Sequence, residues 1–198
     1  RVVKNITNEI KELKKYALEN KVPIMLDEGM DFLTNFISRN NIEKVLELGT
    51  GIGYSSIMMA LANPNLKVVT IEKDEARYLE AIKNIKKFNL ENRITLVFKD
   101  ALETKIDEKF DLIFIDAAKS KNKELFNRFE KNLNTDGYIV TDNISFHGYV
   151  EKNEEEIESK DLRNLVRKIK DYIAFLEEND QYITRFYKVG DGLSISQK

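Results

Sequence analysis

Carboxylate and amide side chains follow the ends of the predicted strands in this chain. They are Glu72 at the end of the second strand, Asp100 after the third, Asp116 after the fourth, and Asp142 with Asn143 after the fifth. Ligands of open α/β sheets bind beyond the carboxyl ends of the strands. Like charges gathered at one rim repel each other unless a cation or a hydroxyl-rich ligand is present. The pattern therefore predicts a site for such a ligand at this edge of the sheet.

A glycine-rich loop follows the first predicted strand, where residues 47–53 read ELGTGIG. Its third glycine comes one position too early for the dinucleotide fingerprint G-x-G-x-x-G, which disfavours an NAD-dependent dehydrogenase. Glu72 lies about 20 residues after the loop, where a carboxylate can accept hydrogen bonds from both ribose hydroxyls. The loop and the carboxylate together predict an adenosine-containing cofactor. A tight turn with no ligand is the alternative.

Strands alternate with helices along the chain, which predicts a parallel sheet with helices on both faces. The parallel strands are expected at 45–48, 68–71, 94–98, 112–115 and 138–141. Two further strands, at 182–189 and 193–196, flank a Gly-Asp-Gly hairpin signal and predict an antiparallel edge. Two helices precede the first strand, and Asp27 is a candidate N-cap of the second. We expect a single α/β domain over residues 1–198, with a seven-stranded, mostly parallel sheet.

The composition excludes several kinds of chemistry. The chain has no cysteine and one histidine, so disulfides, thiolate catalysis and a multi-histidine zinc centre are ruled out. Its apolar runs are too short to cross a bilayer, and we expect a cytoplasmic protein that does not enter membranes. The net charge of −2 averages 32 basic and 34 acidic residues, so contact with nucleic acid stays open.

Several motifs resemble the metal-dependent O-methyltransferases that include the catechol and caffeoyl-CoA O-methyltransferases. They are ELGTGIGYS at 47–55, FIDAAK at 114–119 and TDN at 141–143. Within that group, VPIM at 22–25, GYV at 148–150, LRNLV at 162–166 and GDGL at 190–193 resemble the bacterial tRNA 5-hydroxyuridine methyltransferases. The resemblance covers nearly the whole chain. It implies a class I (Rossmann-like) methyltransferase fold in which the helices of residues 1–40 form part of the cover over substrate and cofactor.

The resemblance also implies S-adenosylmethionine as the cofactor. The implied contacts are Met25, Glu47, Gly49, Gly51, Gly53, Tyr54, Ser55, Glu72, Asp100, Ala101 and Asp116. Asp116, Asp142 and Asn143 would hold a divalent cation. Two carboxylates and an amide oxygen are hard ligands that suit Mg²⁺, and such a cation lowers the pKa of a bound hydroxyl. A turn or a helix cap after the strand is the alternative for Asp142 and Asn143.

Lys119 matches the proposed general base of the catechol enzymes, so Lys119 and Asp116 are the candidate catalytic residues. A lysine between metal and substrate can accept a hydroxyl proton when its pKa is lowered. Orientation of the substrate and a solvated surface lysine are the alternatives. The predicted reaction is methylation of the 5-hydroxyl of the wobble uridine in a tRNA anticodon loop, which yields 5-methoxyuridine. O-methylation of a small vicinal diol and a non-catalytic cofactor-binding module are the alternative functions.

The last long helix carries a basic stripe of Lys160, Arg163, Arg167 and Lys170 at three- and four-residue spacing. Arg163 and Arg167 are the candidate tRNA-binding residues, because such a stripe can contact phosphates. The solvated side of an amphipathic helix is the alternative. The resembled family also implies a homodimer.

Overall fold

The computed structural model describes residues 2–198, with side chains from residue 5 onward. In this part of the chain one sheet contains seven strands in the order β3-β2-β1-β4-β5-β7-β6. They are β1 (Lys44–Leu48), β2 (Lys67–Glu72), β3 (Ile94–Phe98), β4 (Phe110–Ile115), β5 (Leu133–Asp142), β6 (Ile183–Tyr187) and β7 (Leu193–Gln197). The first five strands pair parallel with one another, and β7 pairs antiparallel with both β5 and β6. The predicted sheet and its antiparallel hairpin are confirmed.

Helices cover both faces of the sheet. They are α1 (Val2–Glu19), α2 (Asp27–Arg39), α3 (Tyr54–Ala62), α4 (Glu75–Lys87), α5 (Asn122–Phe129) and α6 (Lys160–Glu178). Side chains of β4 alternate between two apolar cores, because successive residues of a strand point to opposite faces. Leu112 and Phe114 pack in the core with α1 to α4, whereas Ile113 and Ile115 pack in the core with α5 and α6. No helix within residues 2–198 is long and apolar enough to cross a membrane.

Two local predictions are wrong. Asp27 is the first residue of α2 and not its N-cap; Leu26 takes that position and makes no side-chain cap. The Asp27 carboxylate instead accepts a hydrogen bond from Lys14 Nζ, at 2.6 Å. The fifth strand begins at Leu133 and not at residue 138 as predicted, so it contains Asp136 and Gly137, where the pairing of β4 with β5 shifts register. Such an irregularity bends the strand without ending it.

The order of the strands reverses between β1 and β4, which is where open α/β sheets bind ligands. The loops after these two strands are held close together. Asp116 N–H donates to Leu48 O at 2.9 Å, and Gly49 N–H donates to Ile71 O at 3.0 Å. The glycine loop and the first predicted metal ligand therefore start from adjacent points of one rigid edge.

Candidate active site

A cleft of about 730 Å³ opens at the carboxyl ends of β1, β2, β4 and β5. The acidic strand ends lie together here, as the sequence predicts. The predicted site residues that line it are Met25, Gly49, Gly51, Tyr54, Ser55, Glu72, Asp100, Ala101, Asp116, Lys119, Asp142 and Asn143. From residues 1–40, the cleft is lined by residues 23–26, which connect α1 to α2, and not by the helices themselves.

The glycine loop approaches the end of β4 more closely than a side chain allows. Gly49 has φ +103°, and a Cβ built on it would lie 2.1 Å from the backbone oxygen of Asp116. Only glycine fits this position without moving backbone. Gly53 has φ +91° and immediately precedes α3. The chain thus passes from the loop into a helix N-terminus, where backbone N–H groups favour anionic ligand groups.

The carboxylate of Glu72 is fixed at the cleft by the backbone. Its Oε2 accepts from Gly51 N–H at 2.8 Å, and its Oε1 accepts from the N–H groups of Lys73 and Asp74, both at 2.9 Å. Asp100 is held in a similar way, since its Oδ1 accepts from Leu102 N–H at 2.9 Å. Two rigid carboxylates at the ends of neighbouring strands are well placed to receive ligand hydroxyls.

Glu47 lies behind the wall of the cleft and not in its lining, and the same holds for Gly53. This geometry therefore gives the Glu47 side chain no direct contact with a cofactor in the cleft. The buried Glu47 carboxylate accepts hydrogen bonds from the hydroxyls of Ser55, Ser56 (2.5 Å) and Thr70 (2.7 Å). Burial raises the pKa of Glu47 to about 7, against the opposing effect of these three donors. Glu47 thus joins α3 and β2 beneath the glycine loop.

Asp116, Asp142, Asn143 and Lys119 form the polar floor at the other end of the cleft. Lys119 Nζ donates to Asp116 Oδ1 and to the backbone oxygen of Asp142, both at 3.2 Å. Burial, and then the charge of Asp116, raise the pKa of the Asp142 carboxyl. Asn143 Oδ1 is buried and has no hydrogen-bond partner among the described residues. An acceptor oxygen left without a donor beside two carboxylates is what a cation site requires.

A cation site at this end of the cleft would need the side-chain amide of Asn143 as a ligand. Within residues 2–198, no three His, Cys, Asp or Glu side chains gather in a way that could hold a metal by themselves. Asp116 and Asp142 supply only two carboxylates, so Asn143 Oδ1 is the third protein oxygen. Asn143 has φ +61°, a left-handed conformation that asparagine tolerates better than most residues.

The predicted RNA-binding arginines make hydrogen bonds to other residues of this chain. Arg163 Nη1 donates to the backbone oxygens of Ile157 (2.5 Å) and Glu158 (3.0 Å). Arg167 makes two hydrogen bonds to the carboxylate of Glu154, at 2.7 and 2.5 Å. These contacts hold residues 154–158 against α6. Contact of this stripe with tRNA stays a prediction.

Sequence reasoning missed several residues that line the cleft. Lys73, Arg77 and Lys99 surround the end that holds Glu72, and Asp191 lies among the lining residues with Asp142. Asp191 is visible in the sequence only as the middle of a hairpin turn. Its approach to the site depends on the pairing of β7 with β5, which no local pattern reveals.

The strand order, together with a glycine loop that leads from β1 into a helix, defines a class I, Rossmann-like methyltransferase fold, as predicted. The model of the O-methyltransferase family matches residues 3–198, and the chain belongs to this family. A Staphylococcus aureus protein assigned as a caffeoyl-CoA O-methyltransferase has a similar crystal structure. The TM-score is 0.91 at 35% sequence identity, over 96% of this chain and 91% of that one.

Curated relatives cover the chain almost completely. The flavonoid 3′,5′-methyltransferase of Vitis vinifera is 27% identical over 206 residues, which span 99% of this chain and 86% of that protein. The caffeoyl-CoA O-methyltransferase of Populus kitakamiensis is 28% identical over 203 residues, 96% of this chain and 86% of that protein. The prediction of an O-methyltransferase is confirmed, and the tRNA subgroup stays a prediction.

Proposed function

We propose that this protein transfers a methyl group from S-adenosylmethionine to a hydroxyl whose neighbouring atom also carries an oxygen, with the help of a divalent cation. The observation that carries the proposal is a single cleft that contains both a candidate cofactor site and a candidate cation site. One end holds the glycine loop and the fixed carboxylates of Glu72 and Asp100. The other end holds Asp116, Asp142 and Asn143. Cofactor and acceptor would therefore meet above Asp116.

The cofactor end suits an adenosine and an amino acid. Glu72, held by three backbone N–H groups, presents its carboxylate to ribose hydroxyls. The methionine part would lie along Gly49 and Ser55, near the N-terminus of α3, where backbone N–H groups favour its carboxylate. Met25 and Tyr54 are apolar or aromatic residues of the same lining, and they exclude water from the cofactor.

The acceptor end fits a cation such as Mg²⁺. Asp116, Asp142 and the buried, unpaired Oδ1 of Asn143 would hold it. A bound Mg²⁺ would lower the pKa of the acceptor hydroxyl, so that the hydroxyl would release its proton to water more readily before methyl transfer. Because Mg²⁺ prefers six oxygens, three protein donors leave positions for two oxygens of an acceptor.

Lys119 would orient the acceptor beside these donors. Its side chain is only 12% exposed, and two of its three N–H groups point at Asp116 and at the backbone of Asp142. The third N–H is left to donate to an acceptor oxygen and to stabilise the charge that develops there. To act as the base, Lys119 would have to be a neutral amine, and a neutral amine is attracted less strongly to the Asp116 carboxylate. The contacts therefore favour orientation.

Our proposed acceptor is 5-hydroxyuridine at the wobble position of tRNA, converted to 5-methoxyuridine. Its 5-hydroxyl and 4-carbonyl are neighbouring oxygens that match the donor set. The motif resemblance supports this acceptor, as does the aromatic side chain of Phe146 in the cleft lining, which can stack on a base. The specific alternative is a small vicinal diol, which the names of the plant relatives favour.

The test is transfer of labelled methyl groups from S-adenosylmethionine to a tRNA that contains 5-hydroxyuridine, to unmodified tRNA and to a catechol, each with Mg²⁺ and with EDTA. We expect label in the 5-hydroxyuridine tRNA alone, and only with Mg²⁺. Label in the catechol alone would move the acceptor to small molecules while preserving the reaction. Label in tRNA that persists in EDTA would refute the requirement for a divalent cation.

A further inference from the structure

A histidine–aspartate pair lies at the acceptor end of the cleft, outside the residues assigned above. His147 Nδ1 is 3.1 Å from Asp191 Oδ1. His147 belongs to the loop after β5, and Asp191 lies in the turn between β6 and β7. Both residues line the cleft together with Asp142 and Asn143. Two segments distant in sequence thus form one polar pair beside the acceptor position.

The loop that carries His147 has a constrained backbone. φ is +46° at Phe146, +54° at His147 and +80° at Gly148. Residues with side chains adopt this region rarely, and they do so most often at functional sites. The turn holds the loop in place, since the N–H of Ser145 (2.9 Å) and its Oγ (2.6 Å) both donate to the backbone oxygen of Asp191. The position of the imidazole relative to the carboxylate is therefore set by the backbone of both segments.

The carboxylate of Asp191 lies beside one of the two ring nitrogens of His147. An ionised carboxylate can only accept hydrogen bonds, so its position 3.1 Å from Nδ1 favours the neutral imidazole that carries its proton on Nδ1. In the neutral imidazole, Nε2 then has a free lone pair. The side chain of His147 is 61% exposed, whereas that of Asp191 is 20% exposed. Because Nδ1 faces Asp191, Nε2 is the ring nitrogen left to accept a hydrogen bond from a molecule in the cleft.

We propose that His147 is a specificity-determining residue whose Nε2 accepts a hydrogen bond from a ring N–H of the methyl acceptor. This inference rests on the proposed function. In 5-hydroxyuracil, N3–H follows the carbonyl next to the reactive hydroxyl, whereas a catechol has C–H at the equivalent position. The ring of Phe146, whose centroid is 5.6 Å from that of His147, provides a neighbouring face for the same base. A site built to hydrogen-bond one group rejects analogues that lack it.

The experiment compares kcat/KM for two anticodon stem-loop RNAs, one with 5-hydroxyuridine and one with its N3-methyl derivative. We expect the wild type to prefer the first by roughly tenfold or more. His147→Asn should bring the ratio close to one, and asparagine tolerates the left-handed backbone. Asp191→Asn should do the same while keeping the imidazole in place, because an amide can donate to Nδ1 and move the proton to Nε2. This second variant separates hydrogen bonding from steric exclusion of the methyl group.

Lys188→Gln is the matched control, since this side chain of the same hairpin region is 96% exposed. It should keep the wild-type ratio, and S-adenosylhomocysteine should bind all four proteins equally in calorimetry. Equal rates on both RNAs in the wild type, or an undiminished preference in His147→Asn, would overturn this inference alone. A wild type that methylates neither RNA would refute the proposed acceptor and this inference together.

Discussion

Replacing Gly49 by alanine would place a methyl carbon 2.1 Å from the backbone oxygen of Asp116 and 2.7 Å from its carbonyl carbon. Both atoms belong to the backbone just after β4, so neither can rotate away as a side chain would. Overpacking of this kind costs about 1–3 kcal/mol. The left-handed backbone adds about 1–2 kcal/mol for a residue that has a Cβ. Gly49→Ala should therefore lower the free energy of unfolding by about 2–5 kcal/mol.

Gly51→Ala provides the matched comparison in the same loop. Gly51 also has a positive φ, +58°, but a Cβ built there meets nothing within 4 Å. Only the backbone cost of about 1–2 kcal/mol remains. Urea denaturation followed by circular dichroism measures both variants, and we expect Gly49→Ala to be the less stable by about 1–3 kcal/mol. Equal losses would refute the close approach to Asp116 as the reason for glycine at position 49.

Three further substitutions test the site and its supports. Asp142→Ala should abolish Mg²⁺-dependent methylation and leave the circular dichroism spectrum unchanged. Asp107→Ala, which changes an exposed residue, is the control and should remain active. Turnover by Asp142→Ala in metal-free buffer would contradict the cation site. Burial raises the pKa of Glu47 from 4.5 to about 7, so its stabilising contribution is complete below about pH 4.5 and is lost as the pH rises towards 7. Glu47→Gln should flatten the pH dependence of unfolding in this window by up to about 3 kcal/mol, and an unchanged profile would show that Glu47 is ionised throughout. Arg163→Glu should destabilise the protein by about 1–3 kcal/mol because two backbone oxygens lose their donor. Lys160→Glu, which changes an exposed residue of the same helix, should not. Equal stability of the two variants would argue that the hydrogen bonds from Arg163 to residues 157 and 158 do not stabilise the protein.

Local patterns predicted most of the architecture and part of the site. The apolar run of β4 is buried in both cores, and the acidic residues after the strands share one cleft. These predictions succeed because the carboxyl ends of parallel strands meet at one edge whatever their side chains. Residue types and their periodicity are therefore enough to place Glu72, Asp100, Asp116 and Asp142 together.

Side-chain partners are a different matter. Glu47 belongs to the same motif as Gly49, yet its carboxylate turns away from the cleft towards hydroxyls of α3 and β2. The basic stripe of α6 reads as a free surface, but Arg167 is paired with Glu154 from another segment. In both cases the partners belong to other elements of the fold, and their positions follow from how the elements pack.

The sequence alone determined the order of the elements, the glycine loop and the chemical types available at the strand ends, because backbone hydrogen bonding and apolar periodicity act over a few residues. Only the tertiary structure decided that Asn143 Oδ1 is buried without a donor among the described residues, or that Asp191 reaches His147. The second fact depends on β7 pairing with β5 across about 50 residues of chain. Such long-range contacts bring together the groups that give this site its chemistry.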